Sequence, residues 1–317
     1  MMGRLLASLV LLSAGWAVQA DSPAQADSPD PLSLLQSMAR AGQNLNYRGS
    51  FTYEHRNAME SFRVYRWSDG ERVVERLEYL NGPVGTAQQL NGTAGCQTTG
   101  YRLLNADVSP KAVARLDRYY QLTVRGSDRV AGRETYTLEV RPRDQLRYGY
   151  LLGVDRDTGL LLKALLVDEQ QRLLERFQFV DLDINPDVEP LREEAGPWPE
   201  DRTDCLDAEA GQPTRWSLNW LPPGFAYSGE KRLPNGIDML MYTDGLASFS
   251  VFLQPVANSS EIAGRAHRGA TSAFMGQLAT DNQQYRVTVV GEIPGAVAEQ
   301  LAQGITPLSG TREATTP

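Results

Sequence analysis

One run, from Arg141 to Phe179, constrains the fold of this 317-residue chain more than any other. It begins Arg141-Pro142-Arg143-Asp144-Gln145-Leu146-Arg147-Tyr148-Gly149-Tyr150. It continues through Asp155-Arg156-Asp157-Thr158-Gly159 and closes on Leu174-Glu175-Arg176-Phe177-Gln178-Phe179. Apolar stretches split by Asp- and Gly-bearing turn signals read as a three-strand meander. Short connections of this kind join neighbouring antiparallel strands, so the N-terminal part of the chain is a β-sheet protein.

The upstream sequence agrees. Phe51, Tyr53 and His55 fall on one face of a period-2 segment, and Ser50, Thr52 and Glu54 on the other. Ser61 to Trp67 alternates again, and Asp69-Gly70 and Asn81-Gly82 are hairpin signals. Before them, Asp30 and Pro31 suit a helix start, with Leu32, Leu35, Met38 and Ala39 on one face. Pro110 to Arg118 also reads as helical.

We therefore divide the chain as follows. Residues 1–20 carry Arg4, an apolar stretch and Val18-Gln19-Ala20, the pattern of a cleaved export signal. Residues 21–31 are a disordered N-terminus. Residues 32–182 form a mainly β domain, an antiparallel sheet with short helices. Residues 183–213 combine five Pro with a dense acidic run and read as a linker with little regular structure. Residues 214–308 form a smaller α+β domain, in which 271–275 is a short helix or a loop, His267 lies in a polar loop and 296–302 is a short helix. Residues 309–317 are a disordered tail.

Charge and chemistry exclude more than they assign. With 31 basic and 39 acidic residues the net charge is −8, a poor basis for general nucleic-acid binding. Only Lys111 and Lys163 occur in the first 200 residues, so the basic character there is Arg, concentrated between Arg125 and Arg147. The two His, His55 and His267, sit in no metal-binding or nucleophile-activating pattern. We assign no catalytic residue, cofactor or metal. Cys96 and Cys205 either pair in an oxidising compartment or remain free thiols.

Aromatic and apolar residues cluster instead. In the first domain Phe51, Tyr53, Phe62, Val64, Leu138 and Leu151 line strand faces suited to an acyl chain, since each buried methylene contributes ~0.8 kcal/mol. In the second, Trp216, Trp220, Phe225, Tyr242, Phe249 and Phe252 suit a grip on a partner polypeptide. Core packing is the competing reading for each.

Several ordered segments resemble the MucB/RseB family of periplasmic regulators. They are Tyr47-Arg48-Gly49-Ser50-Phe51-Thr52-Tyr53-Glu54, Pro142 to Gly149, Asp155 to Leu160 and Leu174 to Phe179. In the second domain they are Trp220-Leu221-Pro222-Pro223-Gly224-Phe225, Asp244 to Phe252 and Val287 to Glu292. The resemblance leans to the MucB branch. It implies an unclosed, lipoprotein-carrier-like β-barrel followed by a partner-binding domain. It further implies binding to the periplasmic region of a transmembrane anti-sigma factor of the MucA/RseA type, protection of that factor from proteolysis, and release by lipopolysaccharide or lipoprotein. A lipid or lipoprotein carrier is the alternative, and a periplasmic hydrolase, which would need a catalytic constellation the residues do not offer, ranks below it. The sequence leaves the oligomeric state, including a homo-oligomer, open.

Overall fold

The computed structural model describes residues 28–56, 58–68, 73–82, 116–195, 213, 215–257, 263–281 and 283–308. Helix α1 (Pro31–Asn44) starts where Asp30 accepts from the Ser33 amide at 2.8 Å. Eight antiparallel strands follow: β1 (Tyr47–His55), β2 (Ala58–Ser68), β3 (Val73–Tyr79), β4 (Tyr120–Val130), β5 (Arg133–Pro142), β6 (Gly149–Asp155), β7 (Leu161–Val167) and β8 (Leu173–Ile184). Their order in the sheet is β3-β2-β1-β8-β7-β6-β5-β4. The β1–β8 pairing joins the first hairpins to the meander, and among the described residues β3 and β4 are the sheet's edges, so the barrel is unclosed there.

Period-2 alternation sorts this sheet into two faces. The inner face carries Phe51, Phe62, Val64, Leu138, Leu152, Phe177 and Phe179, which join Leu34, Leu35 and Met38 of α1 in one core. Helix α2 (Val188–Ala195) sits on the other face, where Leu191 and Ala195 meet Tyr65 and Trp67.

The second sheet has six strands: β10 (Ala226–Arg232), β11 (Asp238–Thr243), β12 (Ser248–Val256), β13 (Gly264–Arg268), β14 (Thr271–Ala279) and β15 (Gln284–Gly291). Their order is β10-β11-β12-β15-β14-β13. A two-strand ribbon of β9 (Trp216–Leu218) and β16 (Ile305–Pro307) and helix α3 (Gly295–Gln303) contribute Trp216, Ile305, Val297 and Leu301 to its core. The architecture is mainly β with a smaller second unit, as the alternation predicts, and the first sheet is unclosed, as the family resemblance implies.

Three local expectations need correction. Residues 271–275 are neither helix nor loop but the start of β14, and His267 lies in β13 rather than in a loop. The acidic stretch from 183 is not irregular throughout: β8 runs to Ile184 and α2 follows, because two apolar residues one turn apart suffice to anchor it on Tyr65 and Trp67. Residues 1–27, most of the helix expected at 110–118, both Cys and the tail lie outside the described residues.

Candidate functional site

The two units meet through turns rather than faces. The β11–β12 turn places Asp244 against Arg147, which lies between β5 and β6. Arg147 Nη1 donates to Asp244 Oδ2 at 2.6 Å, and both side chains are 0% exposed. Arg147 also donates to Asp144 Oδ1 and Oδ2, each at 3.1 Å, and to the Pro223 carbonyl. The Tyr120 hydroxyl donates to Asp244 Oδ2 at 2.8 Å. The other Asp244 oxygen accepts from the amides of Leu246 and Ala247 at 2.9 and 2.8 Å. The guanidinium lies 5.2–5.4 Å from the ring centres of Tyr119, Tyr120 and Phe225.

This is a buried ion pair with its hydrogen bonds satisfied from both units. Burial alone would pull the Arg147 guanidinium down; Tyr120, Asp244 and Asp144 outweigh it and hold it above the ordinary arginine value. Burial, reinforced by the Asp244 carboxylate, pushes the Tyr120 phenol well up, so it stays a neutral donor. Gly224 belongs to the same contact: at φ +94° its missing Cβ leaves room for the Tyr119 ring, which a Cβ would meet at 2.6 Å.

A second contact lies at the turn between β13 and β14. The Ala270 amide donates to Glu175 Oε1 of β8 at 2.7 Å, and Ala270 is fully buried in the first unit's core. Gly269, at φ +58°, would place a Cβ 2.3 Å from that same carboxylate oxygen. Glu175 also bonds the Tyr53 phenol, which burial, then Glu175, drives upward. Beside it, Arg268 donates to His55 Nε2 at 2.9 Å and to Glu60 Oε1 at 3.3 Å. Leu246, from the β11–β12 turn, is likewise buried in the first core. The seam therefore joins buried polar groups, Arg147, Asp244 and Glu175, to the buried apolar side chains of Leu246 and Ala270, and a hydrogen-bonded buried network of this kind favours one orientation between the units.

The sequence-assigned residues fall unevenly. Phe51, Tyr53, Phe62, Val64 and Leu138 are all on the inner face and buried, with Phe51 4.9–5.9 Å from the rings of Phe62, Phe177 and Phe179. Leu151 is not with them. The register pairs Leu138 with Leu152 and Glu139 with Leu151, which puts Leu151 on the opposite face, beside Leu165 and Lys163. In the second unit Trp216, Phe225, Tyr242 and Phe249 are core residues. The Trp216 indole donates to Asp238 at 2.8 Å, and Tyr242 stacks on Phe249 at 5.0 Å. Trp220 is half-buried against that core, and Phe252 alone of the six points to the sheet's other face. The resemblance gives no role to Tyr120, Arg147, Glu175, Asp244 and Gly269, which build the seam, although Arg147, Glu175 and Asp244 lie in three of the resembling segments.

Comparison with known proteins agrees with this two-unit organisation. Residues 30–196 match the MucB/RseB N-terminal domain and residues 210–306 the MucB/RseB C-terminal domain. The chain is 34% identical to the sigma factor AlgU regulatory protein MucB of Pseudomonas aeruginosa, over 96% of this chain and 98% of that protein. It is 27% identical to the sigma-E factor regulatory protein RseB of Escherichia coli K12, over 88% and 91%. A chain in the crystal structure of MucB in complex with MucA(peri) superposes with TM-score 0.68 at 33% identity, covering 89% of this chain and all of that one. Another, of MucB alone, gives 0.61 at 32% identity, with 89% and 99% covered. The chain belongs to the MucB/RseB family of sigma-factor regulatory proteins.

Proposed function

We propose that this chain is an exported, non-catalytic negative regulator of an envelope-stress sigma factor. Residues 1–20 direct it to the periplasm and are removed. There it binds the periplasmic region of a transmembrane anti-sigma factor and shields it from regulated proteolysis. Lipopolysaccharide or lipoprotein acyl chains release it. The observation that carries this reading is the family match across both units, extended by the likeness to MucB solved with MucA(peri).

The geometry supplies a physical basis. A lipid can drive release only by preferring an arrangement that binds the partner poorly. The inner face of the first sheet is apolar and closed by α1, so an acyl chain would have to displace packed side chains such as Leu35 and Phe51. The seam residues Tyr53 and Glu175 adjoin that core, which gives such a displacement a route to the second unit. The expected division of labour, lipid on residues 32–182 and partner on 214–308, follows from the same reading.

A protease-protection assay tests it. The periplasmic segment of the anti-sigma factor is incubated with the site-1 protease, with and without this protein. Slower cleavage that returns to the unprotected rate on adding lipopolysaccharide supports the regulator. Unchanged cleavage leaves a lipid carrier as the better reading.

A further inference from the structure

In an antiparallel sheet with one face on a core, the other face is ordinarily polar. The second sheet departs from this. Its register aligns Met239, Phe252, Thr288 and Met275 in one row across β11, β12, β15 and β14. The next row aligns Met241, Ser250, Val290 and Ala273, of which Met241 is buried and the other three are half-buried. None of these residues belongs to the core on the other side, and α3 and the β9–β16 ribbon pack on that other side. Three of the seven methionines of the whole chain sit on this one face.

The charges on the face are as selective as its apolar residues. Lys231 pairs with Met239 at the β10 edge, and Arg286 lies in the row between Gln254 and Gln277. Arg268 projects from β13 on the same side, toward the seam. None of the residues that these six strands direct to this face is Asp or Glu, in a chain whose net charge is −8.

We infer that this face of the second sheet is a docking surface for an acidic amphipathic polypeptide segment. Its apolar side chains lie on the methionine and Phe252 rows, and its carboxylates reach Lys231 and Arg286. Methionine suits this task because its unbranched, polarizable side chain repacks to fit a partner. Two rows running across an open sheet face fit a helix or strand laid over them better than an acyl chain, which calls for a deeper enclosure. An anionic membrane is disfavoured by the net negative charge of the chain. The inference rests on the regulator reading for the probe it uses, the periplasmic segment of the anti-sigma factor.

The test is an affinity series on the full exported chain, measured by biolayer interferometry against that segment and against anionic lipid vesicles. Phe252→Asp puts a charge in the centre of the face. The double variant Lys231→Glu/Arg286→Glu reverses its charges without touching the core. Circular dichroism and tryptophan emission establish that each variant is folded. Phe252→Asp is expected to weaken segment binding about tenfold or more, and the double variant to weaken it and flatten its salt dependence. Wild-type affinity in both folded variants overturns the surface while leaving the regulator reading intact. Loss of vesicle binding with unchanged segment binding assigns the face to membranes and overturns it too. No binding of the segment by the wild-type chain removes both.

Discussion

Replacing Asp244 by Ala removes the centre of the seam. Arg147 would keep Asp144 and the Pro223 carbonyl but lose its only fully buried counter-charge among the described residues. The Tyr120 hydroxyl and the amides of Leu246 and Ala247 would lose their acceptors. Breaking a buried pair by removing one partner costs about 3–5 kcal/mol, and the stranded donors keep the value at the upper part of that range. The double variant Arg147→Met/Asp244→Leu replaces the pair with apolar volume and should recover most of the loss. Equilibrium urea unfolding measures both, with a mutant cycle giving the coupling. Because the pair spans both units, Asp244→Ala should also split one transition into two, read separately through Trp67 in the first unit and Trp216 in the second. A cost below about 1 kcal/mol, with a single unchanged transition, would refute the claim that this pair holds the units together.

Three further outcomes are expected. Both Gly269 and Gly132 sit at positive φ, so that strain cancels between them, but a Cβ at 269 also displaces the buried Glu175 carboxylate from the Ala270 amide while one at 132 meets open space; Gly269→Ala should therefore destabilise by about 1–3 kcal/mol more than Gly132→Ala in the same urea assay. Burial would raise the Asp155 carboxyl, but its bonds to Arg133 and Thr158 outweigh this and hold it below the ordinary value. Its stabilisation is therefore present above the unfolded pKa of about 3.9 and is lost as pH falls below that through the folded value; Asp155→Asn should flatten the loss of stability in an acid titration, and an unchanged slope would contradict it. Leu35→Ala, in the α1 contact with the inner face, should cost about 2–5 kcal/mol in thermal or urea unfolding, and a cost near zero would mean that the face is not packed.

Much of the fold is legible because alternation and turn dipeptides are local. Phe51, Phe62 and Phe177 declare one face by spacing alone, and Asp155 to Gly159 marks a turn whatever surrounds it. Leu151 shows where that ends: Tyr150, Leu151 and Leu152 are all apolar, so only the pairing with β5 decides which of them faces inward. The β13–β14 hairpin leaves no alternation in the sequence because Gly264 to Arg268 is exposed along its length, with no apolar face to mark it. Helix α2 was hidden because its charged positions dominate and only Leu191 and Ala195 are buried. In the second unit, Trp216 and Phe249 have the composition of a hot spot and the position of a core, a distinction that only burial makes. The seam was least legible. Arg147 and Asp244 are 97 residues apart, and nothing local tells either that the other exists.

The central claim is that this protein restrains an anti-sigma factor and lets go when lipid arrives. A pull-down of the exported chain on the immobilised periplasmic segment of its host's anti-sigma factor, with and without lipopolysaccharide, tests it most directly. Retention on the segment, reduced as lipopolysaccharide is added, is the predicted result. No retention under either condition would contradict the account and favour a lipid carrier built on the same first unit.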